Sequence, residues 1–571
     1  MTPLQPLRIV PAGAGSGKTF AIQQRLGEWV ASGKVAPEKI MAVTYTEAAA
    51  TELRERISSK LLEMGRVDDA LRLSEAYITT IHGFGLRVLA EFAFDAGASP
   101  RPRLLNDYER STLIRRALAR TDAADTIAER LEAFGYSYDF STNRAAVDVF
   151  RDDILAAIGL LRSIGAPSDG GPDELILRTV EGLVKGYGKT ADAEEVRENL
   201  QVAASALLRE FPDSMDRAYG ASVAAREDFI RDFRNLTRAV RTDVLGKDWK
   251  LWHALRTLRT SNKRLKLPER YDELACRVKD AAACLYTHPG PLEHAIEHFT
   301  ASLHSASGAL RHYDEAKRQA GLVDYDDMIS TAGRLLRTQP AVLDTLAGRI
   351  DCMVVDEFQD TNPIQFELLW KLRDAGVPTL IVGDLKQAIM GFQGADPRLF
   401  EALIDNHPEE ASQLTQNWRS QPRLMHAINA FGRALFRTKP TYAPLQPQAP
   451  ASPMEPLEIV WFAKNTRSGG RRARAYTISE RIQQLLADPN QRVIDPETKR
   501  PRRLRGGDIA VLCQTHAALT TYAAIMRGAG LQVNCTEDGW LDSRAVQLAW
   551  YALSYLANSA DRHAALYLAV T

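Results

Sequence analysis

The sequence predicts an α/β chain in which open parallel sheets are interrupted by a large all-helical insertion. Three observations carry that expectation. A glycine-rich segment, Ala12-Gly-Ala-Gly-Ser-Gly-Lys18-Thr19, follows a short apolar run from Leu7 to Val10 and precedes a helical pattern. A second apolar run, Cys352-Met-Val-Val355, leads directly into Asp356 and Glu357. Between them, over residues 101–320, apolar positions such as Ile154, Ile158, Leu161 and Ile164 recur at helical spacing, and strand-like alternation is scarce.

Leu7 to Val10 reads as a buried strand, and Phe20, Ile22, Leu26, Trp29 and Val30 recur at roughly helical spacing, so the glycines join a strand to a helix N-terminus. Gly13, Gly15 and Gly17 let the backbone curl until its N–H groups converge, where the helix dipole also favours an anion. Ala12, Gly13, Ala14, Gly15, Ser16, Gly17, Lys18 and Thr19 therefore read as a P-loop for ATP, with Ala12 in place of its first glycine. In this arrangement Lys18 reaches the β and γ phosphates and the Thr19 hydroxyl ligates Mg2+. The other reading is a glycine-rich turn without a ligand.

Cys352 to Val355 has the unbroken apolar character of a central parallel strand covered on both faces. Asp356 and Glu357 then emerge at the strand's C-terminal end, the edge at which open α/β sheets bind ligands. Asp356 is expected in the Mg2+ shell, and Glu357 is expected to orient or deprotonate the attacking water. Taken alone, the segment also reads as a strand ending in a solvated acidic turn.

Further segments occur in order. These are Thr44-Tyr45-Thr46 through Arg56, Thr80-Ile-His82-Gly-Phe84, Asp324-Tyr-Asp-Asp327, Val382-Gly-Asp-Leu-Lys-Gln387 with Gly391-Phe392-Gln-Gly-Ala395, and Gln416-Asn-Trp418-Arg419-Ser420. With the two phosphate motifs they resemble the UvrD/Rep branch of superfamily 1 DNA helicases, as motifs Ia and Ib, an acidic tetrad, and motifs III and IV. The start of the chain, with its P-loop almost at the N-terminus, and the size of the insertion are similar to the RecB and AddA helicases. The resemblance implies RecA-like sheet domains and an ATP-dependent helicase or translocase that moves along single-stranded DNA, 3′ to 5′.

The resemblance also implies individual roles. Gln387 would sense the γ phosphate and the attacking water, and its other reading is a loop amide. Arg419 would be an arginine finger, its guanidinium fork matching phosphate oxygens. Trp418 would stack on adenine, the alternative being a core indole. Thr44, Tyr45, Thr46, His82 and Phe84 would line a groove for one DNA strand, and Phe392 would stack on a base, against the alternative of core packing. Met390 and Gln393 depart from the tyrosine and arginine common in the family, which weakens stacking and charge at that contact. Gln5 is the one glutamine upstream of the P-loop that could read adenine.

By the same resemblance, residues 1–100 hold the first part of a RecA-like domain, 101–320 a helical subdomain, and 321–407 the return to that domain. Residues 408–550 begin a second RecA-like domain, and 551–571 start a further helical region. Apolar runs Leu457 to Phe462 and Ile509 to Leu512 read as strands of the second domain, which also includes Leu541-Asp-Ser-Arg544. Asp169-Gly-Gly-Pro-Asp173 and His288-Pro-Gly-Pro291 break the insertion into helices. The family's motifs V and VI have no match, so the chain is expected to be truncated or completed by a partner. That partner would be a nuclease or another subunit of a helicase complex. The alternative function is a helicase-like ATP-binding subunit that clamps DNA and hydrolyses little, and the pathway stays open among repair, recombination and anti-phage defence.

Composition agrees with a globular, cytoplasmic protein. No apolar stretch approaches the roughly 20 residues of a membrane span, and five cysteines without CxxC spacing read as reduced thiols rather than a metal site. With 72 basic and 72 acidic residues, no global field draws in nucleic acid, so single-stranded or partly duplex DNA must be held by local patches. One candidate is Arg241 to Arg270, where Lys247, Lys250, Arg256, Arg259, Lys263, Arg264 and Lys266 surround Trp249 and Trp252. A second is Arg471, Arg472 and Arg474 with Lys499 to Arg505. The first reads equally well as a solvated helix face and the second as a flexible hairpin.

Overall fold

The computed structural model describes residues 4–97, 99, 103–121, 130–132, 134–138, 145–165, 172–220, 222–241, 244–262, 265–437, 442–452, 454–462, 470–495, 498, 500–535, 544–559, 565 and 568–569. They fall into two compact units, residues 1–14 with 18–414, and residues 15–17 with 415–571.

In the first unit, β1 (Leu7–Pro11), α1 (Lys18–Ala31), β2 (Ile40–Thr44), α2 (Glu47–Glu63), β3 (Tyr77–Thr80) and α3 (Ile81–Glu91) begin the sheet and its cover. The chain then leaves for the insertion, whose principal helices are α4 (Ala146–Ser163) and α5 (Pro289–Ala320). It returns with α6 (Tyr325–Thr338), β4 (Cys352–Val355), α7 (Pro363–Asp374) and β5 (Thr379–Gly383). The strand order is β1-β5-β4-β2-β3, with every pair parallel. Ile9 lies opposite Ile381, Val354 opposite Leu380, and Met41 opposite Met353.

Alternation along each strand divides the apolar side chains between two faces. Ile9, Met41, Val43, Met353, Val355 and Ile381 pack with Phe84, Val88, Ile329, Leu336 and Leu368 of α3, α6 and α7. Val10, Ile40, Ala42, Cys352, Val354 and Leu380 pack with Ile22, Leu26, Leu53 and Ile57 of α1 and α2. Phe20 stands off the Ile22, Leu26, Val30 stripe of α1 and is exposed. Thr46, Thr80, Asp324 and Asn362 cap α2, α3, α6 and α7, each side chain satisfying an N–H that the helix start leaves without a partner.

The insertion is largely helical and has two cores. One joins Phe150, Ile154, Ile158 and Leu161 of α4 to Leu303, Ala306, Leu310 and Tyr313 of α5. The other gathers Leu200, Leu207, Phe229, Leu236, Trp252, Leu274 and Val278. α4 stops at Ser163, so Ile164 is an exposed C-cap rather than the next core position. A short parallel pair, Arg103–Leu104 with Leu322–Val323, lies where the insertion leaves and rejoins the sheet-bearing part of the first unit. The break at His288 is observed, with α5 starting at Pro289; residues 169–171 of the other break lie outside the described residues.

At the rejoining point lies a buried ionic cluster. Arg162, in the last turn of α4, donates to both carboxylate oxygens of Asp324 at 2.7 and 2.6 Å and to Asp327 at 2.9 Å. Lys317 of α5 donates to Asp327 at 2.6 Å, and the Tyr313 hydroxyl donates to Asp324 at 2.6 Å. Burial alone would push the Asp324 carboxyl up, but the Arg162 and Lys317 charges outweigh it and hold the group well below the usual carboxylate range.

In the second unit, Gln416–Asn417 pairs in parallel with Gln446–Pro447, and Arg492–Ile494 pairs antiparallel with Pro501–Arg503. Helix Arg471–Ala487 packs on helix His516–Gly528. The segments 457–462 and 509–512, expected as strands, form no strand pairing among the described residues. A β-strand is defined by its hydrogen-bonded neighbour as much as by its apolar pattern. Here Val460, Ile509 and Val511 instead line a groove with Ile478, Ile482 and Leu485 of the Arg471–Ala487 helix, while Trp461 and Leu512 are exposed. Residues 541–543 of the expected Leu541 to Arg544 segment lie outside the described residues.

Removing Arg162 leaves buried carboxylates without their main cation. The substitution Arg162→Met is expected to destabilise the first unit by about 3–5 kcal/mol, read as a lowered urea midpoint at unchanged slope.

Candidate functional site

All five strands point their C-terminal ends to one edge, and the loops that leave them carry most of the residues singled out by the sequence. From β1 the chain passes through Ala12, Gly13 and Ala14 into Gly15 and Gly17, whose φ of +73° and +81° lie in the left-handed region open to glycine. Ser16 is buried and its hydroxyl has no hydrogen-bond partner. A buried polar atom without a partner is rare, and a phosphate oxygen would satisfy it. Lys18 and Thr19 open α1, so the donor set fits the phosphates of a nucleotide.

Lys18 Nζ donates to Glu357 Oε2 at 2.6 Å, joining the loop after β1 to the loop after β4. Glu357 has φ +51°, the one positive value at a non-glycine among the described residues. A left-handed conformation at such a residue is uncommon and marks a position that its surroundings enforce. The half-buried Asp356 carboxylate accepts from the Glu357 N–H at 2.9 Å. Asp356 and Thr19 are the groups suited to Mg2+, both short oxygen donors beside the loop.

Two residues that sequence reasoning passed over complete the arrangement. Gln359, fully buried, donates to Glu357 at 2.9 Å and accepts the Asp384 N–H at 2.8 Å. The Asp384 carboxylate accepts from the Gln387 amide at 2.7 Å. Glu357 and Gln387 are therefore connected by an unbroken line of hydrogen bonds through Gln359 and Asp384. The signal was present: both residues sit within or beside the motifs that end β4 and β5, and an amide or acid that is buried calls for partners.

Trp418 and Arg419 belong to the second unit. They follow Gln416–Asn417 in a turn held by the Asn417 side chain, which accepts the N–H groups of Arg419 at 3.1 Å and Ser420 at 2.7 Å. Trp418 is 60 % exposed, so it is not a core indole.

The residues expected to hold a DNA strand divide. Tyr45 and Thr46 follow β2, His82 opens α3 after β3, and Phe392, in the loop beyond β5, is 79 % exposed. The Tyr45 hydroxyl donates to Gln393, the residue that departs from the family's arginine. Burial lowers the pKa of His82, favouring the neutral ring. Thr46 already accepts the Ala49 N–H at 3.1 Å as a helix cap. Two expectations are corrected. Phe84 is fully buried, edge-on to Tyr77 at 5.6 Å, because Ile81, Phe84 and Val88 form the core stripe of α3, and its ring has no face for a base. Thr44 is buried as the last residue of β2 and spends its hydroxyl on the Thr46 carbonyl at 3.0 Å.

Some residues of the two basic clusters have partners within the chain. Trp252 is buried and its indole N–H donates to the Leu245 carbonyl at 2.8 Å. Arg259 pairs with Asp228, and Arg270 pairs with Glu273 at 2.7 Å. Lys263 and Arg264 lie outside the described residues, as does Lys499. Arg502 is held by Asp508 at 2.6 Å and Asp495 at 2.8 Å within the antiparallel pair.

No helix among the described residues is long and apolar enough to cross a membrane. The family model of the UvrD/REP helicase N-terminal domain matches residues 1–408. The chain is similar to an ATP-dependent helicase/nuclease subunit of Lactobacillus acidophilus, 23% identical over 89% of this chain and 46% of the relative. It is also similar to the protein of the same name from Limosilactobacillus fermentum, 27% identical over 88% of this chain and 44% of the relative. The chain thus spans about half the length of the curated relatives it matches.

Burial, and then the neighbouring Glu357 charge, push the Asp356 carboxyl up to about 6. A raised carboxyl pKa means that the folded chain keeps a proton the unfolded chain releases. The group's stabilising contribution is therefore present below about pH 4 and lost as pH rises through about 6. A metal ion needs the ionised form. Thermal stabilisation by Mg2+ with a non-hydrolysable ATP analogue is expected to be larger above about pH 7 than below about pH 5.5, and Asp356→Asn is expected to shrink that difference. An equal difference in the variant would remove Asp356 from the metal shell.

Proposed function

From a chain that belongs to the UvrD/REP helicase N-terminal domain family, we propose the motor of an ATP-dependent DNA helicase that advances along single-stranded DNA, 3′ to 5′, within a helicase–nuclease assembly. The observation that carries the reading is the continuous connection from Lys18 through Glu357, Gln359 and Asp384 to Gln387 at the C-terminal edge of one parallel sheet. The relatives' names, which pair an ATP-dependent helicase with a nuclease, support the nuclease association.

Ala12 to Thr19 bind the triphosphate, with Lys18 on the β and γ phosphates. A triphosphate competes with Glu357 for the Lys18 ammonium, and a carboxylate freed from that ion pair is a stronger base toward water. Gln359 keeps Glu357 oriented as the pairing changes, and Gln387 aligns with the γ phosphate and the water. Thr19 and Asp356 would hold Mg2+, which would neutralise charge on the phosphates. Trp418 stacks on adenine and Arg419 stabilises the transferring phosphoryl group. Tyr45, Thr46, His82 and Phe392 contact the DNA strand, with stacking that tolerates any base sequence.

The test is steady-state ATP hydrolysis by this chain with and without oligothymidylate. Turnover stimulated by the oligonucleotide is expected. It should be abolished by Lys18→Ala, lowered about 10²–10⁴-fold by Glu357→Gln and lowered about a thousandfold by Arg419→Ala. Nucleotide binding without stimulated turnover would replace the motor by a nucleotide-controlled clamp.

A further inference from the structure

At the N-terminal edge of the sheet, opposite the edge that carries Lys18 and Glu357, cations gather around a small cavity. The sheet face that packs on α1 and α2 is built from apolar positions such as Val10, Ile40, Ala42, Val354 and Leu380. Alternation along β1 places Arg8 on that same face, opposite Leu380. Arg8 is half-buried, and its Nε is enclosed without a hydrogen-bond partner. One terminal nitrogen reaches the Ser412 hydroxyl at 3.4 Å, a long contact for a charged donor. A buried donor left unpaired is rare and destabilising.

Arg8, Arg25 of α1 and Lys34 of the loop after α1 line one cavity of about 180 Å3, walled by Trp29 and Leu380. At about 30 Å3 per water, that is room for one compact oxyanion and a few waters. No carboxylate forms an ion pair with any of the three cations among the described residues. Glu28, whose charge acts on Arg25, accepts the Gln24 amide at 2.9 Å. Burial, and next the like charge of Arg8, lower the Arg25 pKa, yet a guanidinium stays protonated. The C-terminal end of α1 adds a partial negative charge of about half a unit, which offsets only a fraction of three cations. Like charges held together against an apolar face lower stability, and binding sites are where that sacrifice is retained.

We propose that Arg8, Arg25 and Lys34 form a second phosphate-binding site, at the N-terminal edge of the sheet. Two guanidinium forks and an ammonium converge from a strand, a helix and a loop, which suits the several oxygens and double charge of a phosphate group. Trp29 packs against the core beneath and gives the site a rigid wall. Exposed Gln5 lines the same cavity. It precedes β1 and so belongs to this edge, five strand residues, at about 3.3 Å each, from the start of the glycine loop. Inorganic phosphate and the 5′-terminal phosphate of a DNA strand share the chemistry that this site recognises.

Isothermal titration calorimetry of the full chain with inorganic phosphate tests the site, in low-chloride buffer and with Lys18→Ala removing the cation of the glycine loop. One saturable site is expected. Arg8→Met and Arg25→Gln are each expected to weaken it about tenfold or more. Without phosphate, Arg8→Met is expected to raise the thermal midpoint, because it removes a charge that lacks a partner. Titration with 5′-phosphorylated and unphosphorylated oligothymidylate separates the sources. A preference for the phosphorylated strand that Arg8→Met abolishes assigns the site to a DNA end, and phosphate binding without that preference assigns it to the free ion. Absence of saturable binding by either phosphate source, binding untouched by both arginine variants, or a lowered ligand-free midpoint in Arg8→Met overturns the proposal.

Discussion

Every strand of the five-stranded sheet is parallel and covered on both faces, and the placement of the site depends on that constraint. Parallel strands require crossovers, and crossover helices occupy both faces, so the loops leaving the C-terminal ends collect on one open edge. Along the order β1-β5-β4-β2-β3, that edge has two halves. The glycine loop, Asp384 to Gln387, and Asp356 with Glu357 follow β1, β5 and β4. Tyr45 with Thr46, and His82, follow β2 and β3. The contact of Tyr45 with Gln393 crosses from one half to the loop of the other. The residues proposed for phosphate chemistry and for strand contact are thereby set side by side on a surface whose floor is close-packed and yields little to strain.

Much of this was legible in the sequence because it is local. The strand from Cys352 to Val355 and the glycine loop announce themselves by residue type and by their immediate C-terminal neighbours. The features that escaped are non-local or depend on a partner. Arg162 and Asp324 are 162 positions apart, and nothing in either neighbourhood names the other. Gln359 stood in plain view within its motif, yet its task, linking Glu357 to Asp384, exists only once β4 and β5 are paired. Phe84 was misjudged for the opposite reason. Its spacing from Ile81 and Val88 marks a core stripe, and the motif resemblance overrode a periodicity that was correct. The runs 457–462 and 509–512 have strand composition without strand pairing among the described residues, since composition specifies a half-buried surface rather than a neighbour.

Within the first unit, the insertion meets the sheet-bearing part through charge as well as through apolar contact. A buried ion pair is weak evidence for stability, because desolvating both partners offsets much of their attraction. The geometry of this cluster gives it another task. Arg162 lies in the last turn of α4, where the helix dipole favours a cation, and Asp324 and Asp327 lie at the start of α6, where it favours anions. Two helix ends of opposite polarity thus face each other, each already carrying the charge that its own dipole prefers. The same carboxylates also close the capping box, Asp324 accepting the Asp327 N–H at 3.1 Å and Asp327 accepting the Asp324 N–H at 2.9 Å. An apolar pair of equal volume would fill the space but could neither cap α6 nor select the orientation of its first turn. The bidentate fork of Arg162 fixes that orientation while leaving the caps in place, since it matches the carboxylate in direction as well as distance. The cluster is therefore better understood as a device that sets direction at the root of the insertion than as one that adds stability there.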